Sequence, residues 1–289
     1  MKVLIIGGTG FIGEEILKLI RNQNIEIYAI KNKKNFQDQD NNINWIKCDI
    51  FNDMELKKVF QEVKPQYLLN LAWRISQNYW IANYNFDFLK TSISLLQYFK
   101  LNGGKRVVFA GTCAEYKYKS TPLKEGDLTE SETTYAKCKN SLREIAEYYS
   151  LQNDVSFVWG RIFYAFGRNE RETCLTSYLI KNLSKNKKVI INNGNAIRDY
   201  IYVKDVAGAF IKLLFSDVKG SVNVCSGKGI ILKKYAKMIA QKLNKAQYLV
   251  FQENNEFSII VGDNGRLLNE VGYKFRYDLS SALNDMIYK

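Results

Sequence analysis

Tyr135 and Lys139 stand four residues apart in the run Tyr135-Ala136-Lys137-Cys138-Lys139. On a helix that spacing is about one turn, so both side chains share a face. A free phenol titrates near ~10, and a neighbouring ammonium favours the phenolate and lowers that value. Such a pair is suited to exchanging a proton with a reacting oxygen near neutral pH. Y-x-x-x-K arises readily by chance in a chain with 42 Lys and Arg, so its surroundings decide its meaning. Upstream, the apolar run Arg106–Ala110 leads into Gly111-Thr112-Cys113-Ala114-Glu115-Tyr116. A hydroxyl at the C-terminal edge of a parallel strand lies where such folds bind ligands. Thr112 is therefore expected to hydrogen-bond the substrate oxygen that Tyr135 protonates, with Cys113 and Ala114 beside it.

A second chemical element opens the chain. In Gly7-Gly8-Thr9-Gly10-Phe11-Ile12-Gly13, three glycines recur as G-x-x-G-x-x-G between an apolar run and a helical pattern. Small residues permit a tight turn and close backbone approach, and the free N–H groups of a helix start face a pyrophosphate. The loop predicts dinucleotide binding by Gly7, Thr9, Gly10, Phe11, Ile12 and Gly13. It lacks the Lys-Ser/Thr of a P-loop, which disfavours ATP hydrolysis. An NAD enzyme usually carries an acid at the end of the second strand to bind the ribose 2′-hydroxyl. Here Ile25–Ile30 runs into Lys31-Asn32-Lys33-Lys34, with no acid before Asp38. Lys31, Lys33 and Lys34 would attract a 2′-phosphate, which points to NADPH/NADP+. Asp49 is placed to hydrogen-bond the adenine amine and Ile50 to pack on its ring.

The elements that must hold these groups follow from periodicity. Lys2–Ile6 is short, almost wholly apolar and β-branched, as a strand buried on both faces is. Similar runs come at Ile25–Ile30, Asn44–Cys48, Gln66–Leu71, Arg106–Ala110 and Val155–Trp159. Helical patterns cover Asp53–Val63, Tyr84–Leu101 and Thr133–Leu151. This alternation predicts an α/β fold, a Rossmann-type doubly wound parallel sheet. After about residue 165 helices near Thr173–Ser184, Val203–Phe215, Ile231–Leu243 and Ser280–Tyr288 alternate with short strands such as Val222–Cys225. We therefore expect a cofactor-binding domain over residues 1–165. A smaller C-terminal substrate-binding lobe over residues 166–289 should return some segments to the first domain.

Composition excludes several chemistries. The 289 residues include no histidine, which removes Ser-His-Asp hydrolysis, Cys-His proteolysis and histidine-ligated metals. Five scattered cysteines fit reduced thiols better than disulfides or a zinc site. No signal-peptide pattern and no run of about 18 apolar residues occurs, so a cytoplasmic protein without a membrane partner is expected. The net charge of +13 is spread along a lysine-rich chain and not gathered in one arm, so no nucleic-acid partner is expected.

With these landmarks placed, the chain resembles the extended short-chain dehydrogenase/reductase (NAD-dependent epimerase/dehydratase) family along essentially its whole length. The matching residues are Gly7–Gly13, Asp49-Ile50, Asn70-Leu71-Ala72-Trp73, Thr112 with Tyr116, Tyr135/Lys139, Arg161–Gly167 and Arg198–Asp205. The resemblance implies a nucleotide-sugar substrate held by the second lobe and a cofactor wall at Leu71, Ala72 and Trp73. It also implies that Arg198 contacts the diphosphate of the sugar nucleotide, with Arg266 a candidate for the same task. Tyr164 stands where many relatives carry an asparagine that touches substrate. Dehydratases of the family follow the catalytic threonine with Asp-Glu, here Cys113 and Ala114. The epimerase-reductases that make GDP-fucose use a cysteine at the position of Ala114 together with a histidine.

What remains is similar to the 4-ketoreductases of bacterial deoxysugar pathways. CDP-abequose synthase and the dTDP-4-keto-6-deoxyglucose reductase of the fucofuranose route are examples. The expected reaction is NADPH-dependent reduction of the C4 keto group of a nucleotide-linked 4-keto-6-deoxy sugar, in surface-polysaccharide biosynthesis. Two alternatives stay open: an NAD-dependent 4-epimerase using the same triad, and a non-catalytic NADP-sensing protein. By family analogy Tyr84–Leu101 and Thr133–Leu151 would pair two copies into a homodimer.

Overall fold

A computed structural model of the protein describes residues 1–21, 23–32, 42–252 and 257–288. Its first strand, β1 (Lys2–Ile6), shows how the apolar run becomes a layer. Successive side chains on a strand point to opposite faces. Val3 and Ile5 accordingly enter one hydrophobic core, and Leu4 and Ile6 enter the other.

The glycine loop carries β1 into α1 (Phe11–Ile20), followed by β2 (Glu26–Lys31) and β3 (Ile43–Lys47). Then come α2 (Asp53–Val63), β4 (Tyr67–Asn70), α3 (Tyr84–Leu101) and β5 (Arg106–Thr112). After α4 (Thr134–Gln152) the chain forms β6 (Ser156–Ile162) and β7 (Tyr164–Phe166). The rest comprises α5 (Leu175–Ser184), β8 (Val189–Ile191), β9 (Ile197–Tyr202), α6 (Val203–Leu214), β10 (Gly220–Val224) and β11 (Gly229–Ile231). Last come α7 (Leu232–Lys242), β12 (Leu249–Phe251), β13 (Ile259–Ile260), α8 (Gly265–Asn269) and α9 (Leu279–Tyr288).

Local signals set the helix ends. The Asn52 side chain accepts from the Met54 and Glu55 N–H groups at the start of α2, and Thr133 caps α4 through the Ala136 N–H. Each cap satisfies donors that a helix start leaves open.

Seven strands form one parallel sheet in the order β10-β6-β5-β4-β1-β2-β3. The chain winds outward from β1 in one direction and from β4 in the other, which is the doubly wound arrangement expected. Helices α2, α3 and α4 supply Phe60, Leu95, Phe99 and Leu142 to one core. Helices α1 and α6 supply Ile16, Val206 and Phe210 to the opposite core. Thus β10 and α6, both beyond residue 165, build onto the sheet that begins at β1.

The remaining segments form a second layer. β9 pairs with β11 in antiparallel fashion and with β13 and β7 in parallel, while β12 pairs with β8. Several of these strands span only two or three residues, too short for a two-residue period to stand out in sequence. Among the described residues no helix is long and apolar enough to cross a membrane, and the cysteines are free thiols.

Candidate active site

The glycine loop makes its turn by backbone shape alone. Gly7 has φ +87, and a Cβ there would lie 2.8 Å from the Ala72 nitrogen. A Cβ on Gly13 would fall 2.1 Å from the Gly7 carbonyl oxygen, so α1 packs against the loop only without that carbon. Gly10 caps α1 with no side-chain bond to the helix start. The first-turn N–H groups therefore face the cleft that Gly7, Gly10, Phe11, Ile12 and Gly13 line. A diphosphate fits there, because a helix start offers both donors and a partial positive charge.

This cleft holds about 660 Å3 and opens at the C-terminal ends of the strands. The second wall starts at β4. Buried Asn70 accepts from the Ala72 N–H at 3.1 Å, and the Leu71 N–H donates to Ile6 at 2.8 Å. This turn presents Leu71 and Trp73 to the cleft. The Trp73 indole donates to Asn85 at 2.8 Å and stacks on Phe88 with centroids 5.3 Å apart.

Thr112, Tyr135 and Lys139 all line the same cleft. Lys139 is buried, donates to the Ala110 carbonyl oxygen at 2.7 Å and lies 3.9 Å from the Trp73 ring centroid. Burial pushes its ammonium down to about 7, against the raising effect of Glu115. Tyr135 is buried in an aromatic cage, its ring edge-on to Tyr79, Trp80 and Trp73 at 5.0, 5.6 and 6.0 Å. Desolvation drives its phenol well above the ordinary range, Tyr79 adds to the rise, and a hydrogen bond with Thr112 offsets part of it. The desolvation that raises the phenol opposes the lowering expected from Lys139, which is itself buried in the same cleft.

A buried network holds Thr112 in place. The Glu115 carboxylate accepts from the Thr112 N–H at 2.8 Å, from the Trp159 indole at 3.0 Å and from Arg161 Nε at 2.8 Å. Arg161 continues to the Tyr116 hydroxyl at 2.9 Å, which donates to Asn223 of β10 at 2.7 Å. Each charge is thereby paired and hydrogen-bonded, the condition for burying it.

Other expected site residues stand elsewhere. Thr9 and Ala72 belong to the two turns but do not line the cleft, nor do Asp49 and Ile50. Asp49 accepts from the Phe51 N–H at 3.1 Å, an Asx turn ahead of α2. Lys31 lies over the Trp45 ring at 5.7 Å, and Lys33 and Lys34 lie outside the described residues. Cys113 is buried in a small apolar cluster with Phe163 and Cys225, its thiol pushed up to about 12 by desolvation. Ala114 faces a neighbouring pocket with Trp80 and Thr133. Tyr164 packs on Tyr200 at 5.8 Å.

The two arginines expected at a diphosphate also lie outside the cleft. Arg198 donates to the Ile197 and Ser258 carbonyl oxygens and to the Ser258 hydroxyl, with Tyr164 beneath its guanidinium. Arg266 pairs with Glu270 and binds the Ser221 carbonyl oxygen, near the N-terminal end of β10. Asp199, beside Arg198, is structural: it accepts N–H groups from Ser226, Gly227 and Gly262.

Cleft residues that sequence reasoning missed are Ile75, Tyr79, Asn169, Glu170, Arg171 and Cys174. They come from two irregular segments, after β4 and before α5, where no periodicity marks a side chain's direction. The Tyr135 N–H donates to the Trp80 carbonyl oxygen at 3.0 Å, which bolts the first of these segments to α4.

The sequence profile of the NAD dependent epimerase/dehydratase family matches residues 3–225, from β1 through β10. The chain belongs to this family. A GDP-6-deoxy-D-talose 4-dehydrogenase of Aggregatibacter actinomycetemcomitans is 23% identical over 300 residues, covering 100% of this chain and 97% of that protein. A dTDP-4-dehydro-6-deoxyglucose reductase of Escherichia coli is 24% identical over 303 residues, covering 99% and 96%. Among solved structures, the UDP-glucose 4-epimerase of Thermotoga maritima superposes with a TM-score of 0.89 at 18% identity, covering 99% of this chain and 97% of that one. The last similarity establishes the shared fold.

Proposed function

We propose that this protein is an NADP(H)-dependent reductase of the C4 keto group of a nucleotide-linked 4-keto-6-deoxy sugar. The observation that carries the reading is the meeting of Thr112, Tyr135 and Lys139 in one cleft with the start of α1. Two relatives, named for a 4-dehydrogenase and a 4-dehydro-sugar reductase, act at the same sugar position and align over nearly the whole chain. The positions next to Thr112 carry no acid or base for a further step: Cys113 is buried and Ala114 has no functional group.

Bound NADPH supplies the hydride. The chain's own groups do the rest. The Thr112 hydroxyl orients the carbonyl, and Tyr135, kept protonated by its dry surroundings, gives its proton to the oxygen as charge develops there. Lys139 holds its charge beneath the site against Trp73. The start of α1 takes the cofactor diphosphate, and Lys31 with Lys33 and Lys34 is the basis for preferring the 2′-phosphorylated form. Exposed Phe86 and Leu101 on α3 with Tyr148 and Leu151 on α4 support a homodimer through these helices.

The test is NADPH oxidation with dTDP-, CDP-, GDP- and UDP-linked 4-keto-6-deoxy sugars. Turnover by the wild type and a loss of at least about a hundredfold in Tyr135→Phe are expected. Near-normal turnover by Tyr135→Phe overturns the scheme. Tightly retained NAD, with interconversion of C4 epimers and no added cofactor, would assign the chain to the epimerases instead.

A further inference from the structure

Asn85 is fully buried in the first turn of α3 and is not among the residues that line the cleft. Its side chain nevertheless ties together the walls around the catalytic pair. The amide oxygen accepts from the Trp73 indole at 2.8 Å, and the amide nitrogen donates to the Tyr79 and Ala82 carbonyl oxygens at 2.7 and 2.8 Å. An indole N–H only donates and a carbonyl only accepts, so these partners fix which way the amide faces.

On one side, Trp73 carries Lys139 Nζ at 3.9 Å from its ring centroid. On the other, Tyr79 and Trp80 belong to an irregular turn. Its own backbone bonds, from the Tyr79 N–H to Ser76 and from the Ile81 N–H to Asn78, are 3.2 Å each, and Asn78 has φ +61. The Trp80 carbonyl oxygen of this turn accepts from the Tyr135 N–H at 3.0 Å. The rings of Tyr79, Trp80 and Trp73 stand at 78°, 85° and 77° to the Tyr135 ring. Tyr135 cannot turn its ring without displacing one of the three, and two of them belong to residues bonded to Asn85.

Packing alone does not call for an amide here, since Phe88, one turn further along α3, packs on Trp73 with an apolar ring. A buried amide with its bonds made rigidifies what it touches. That matters beside a proton donor, where a misplacement of about 1 Å costs roughly a hundredfold in rate.

We propose that Asn85 is a positioning residue for the catalytic pair, bracing Trp73 against Lys139 and the Tyr79–Trp80 turn against Tyr135. Its effect on rate rests on the reductase reading above; the brace itself is read without turnover.

Asn85→Leu keeps the side-chain size and removes all three bonds. Asn85→Asp keeps the acceptor for Trp73, loses at least one of the two donated bonds, and serves where Asn85→Leu does not fold. The first measurement is NMR of the NADP+-saturated protein carrying 13Cε-labelled tyrosine, with Tyr135 assigned by its loss in Tyr135→Phe. The wild type is expected to show two Tyr135 resonances, because the caged ring flips slowly, and the variants one averaged line. One averaged line in the wild type, or two unchanged lines in the variants, overturns the proposal. With a keto-sugar that the wild type reduces, kcat should fall about tenfold or more in Asn85→Leu and less in Asn85→Asp. The Kd for NADPH should stay within about twofold. An unchanged kcat, or a fall matched by an equal loss of NADPH affinity, overturns it as well. If the resonances behave as expected while no keto-sugar is reduced, the reductase reading fails and the brace stands.

Discussion

Lys139 Nζ lies 3.9 Å from the Trp73 ring centroid, so a buried ammonium rests on the face of an indole. Trp73 is itself fixed by Asn85 and Phe88. A desolvated ammonium over indole gains up to about 2 kcal/mol, which favours the protonated form. Trp73→Leu should therefore lower the Lys139 pKa further. We expect the alkaline limb of the kcat profile to move down by up to about 1.5 pH units, with Trp73→Phe in between. A limb that stays in place in Trp73→Leu would show that the indole does not support the charge.

Stability should depend on pH through Lys139 in a defined direction. Its pKa is about 7 in the folded protein against an ordinary 10.5. Below about 7 both states hold the proton; between the two values only the unfolded chain does, so stability rises with pH across that window. Comparing the wild type with Lys139→Met cancels the other titrating groups. The Tm of the wild type relative to the variant should climb from pH 7 to pH 9.5, and a flat difference would contradict the burial argument.

Gly13 tests the cofactor cradle. A Cβ there meets the Gly7 carbonyl oxygen at 2.1 Å and the Gly8 backbone at 2.7 Å, so the α1 start must move. Gly13→Ala should cost about 1–3 kcal/mol of stability and lower NADPH affinity by at least about tenfold. Isothermal titration and chemical denaturation read the two effects separately. Gly126→Ala, where a Cβ meets nothing within 4 Å, should do neither.

Glu115 and Arg161 form an ion pair with side chains 0% and 2% exposed. Glu115→Gln turns one acceptor into a donor facing Arg161 or the Thr112 N–H. Breaking a buried pair costs about 3–5 kcal/mol, a fall in Tm on the order of 10 °C for a chain of this size. Tyr116→Phe removes only the hydroxyl between Arg161 and Asn223 and should cost about 1 kcal/mol. Equal losses in the two variants would argue against a charge-pair origin.

Much of this protein was legible from its residues in order. The glycine spacing, the one-turn separation of Tyr135 and Lys139, and the spans of α2 and α3 are local properties, set by side-chain period, capping and backbone freedom within a few residues. The inner strands β1, β4 and β5 announced themselves for the same reason, since a strand covered on both faces is apolar at nearly every position. Tertiary structure decided the rest. Only packing sets Trp73 beneath Lys139 and Arg161 against Glu115, and only the folded loops bring Arg171 and Tyr79 to the cleft while Arg198 turns to Ser258. These contacts join segments far apart in the chain. Burial adds what adjacency cannot show: one turn of helix separates Lys139 from Tyr135, and exclusion of water raises the phenol and lowers the ammonium.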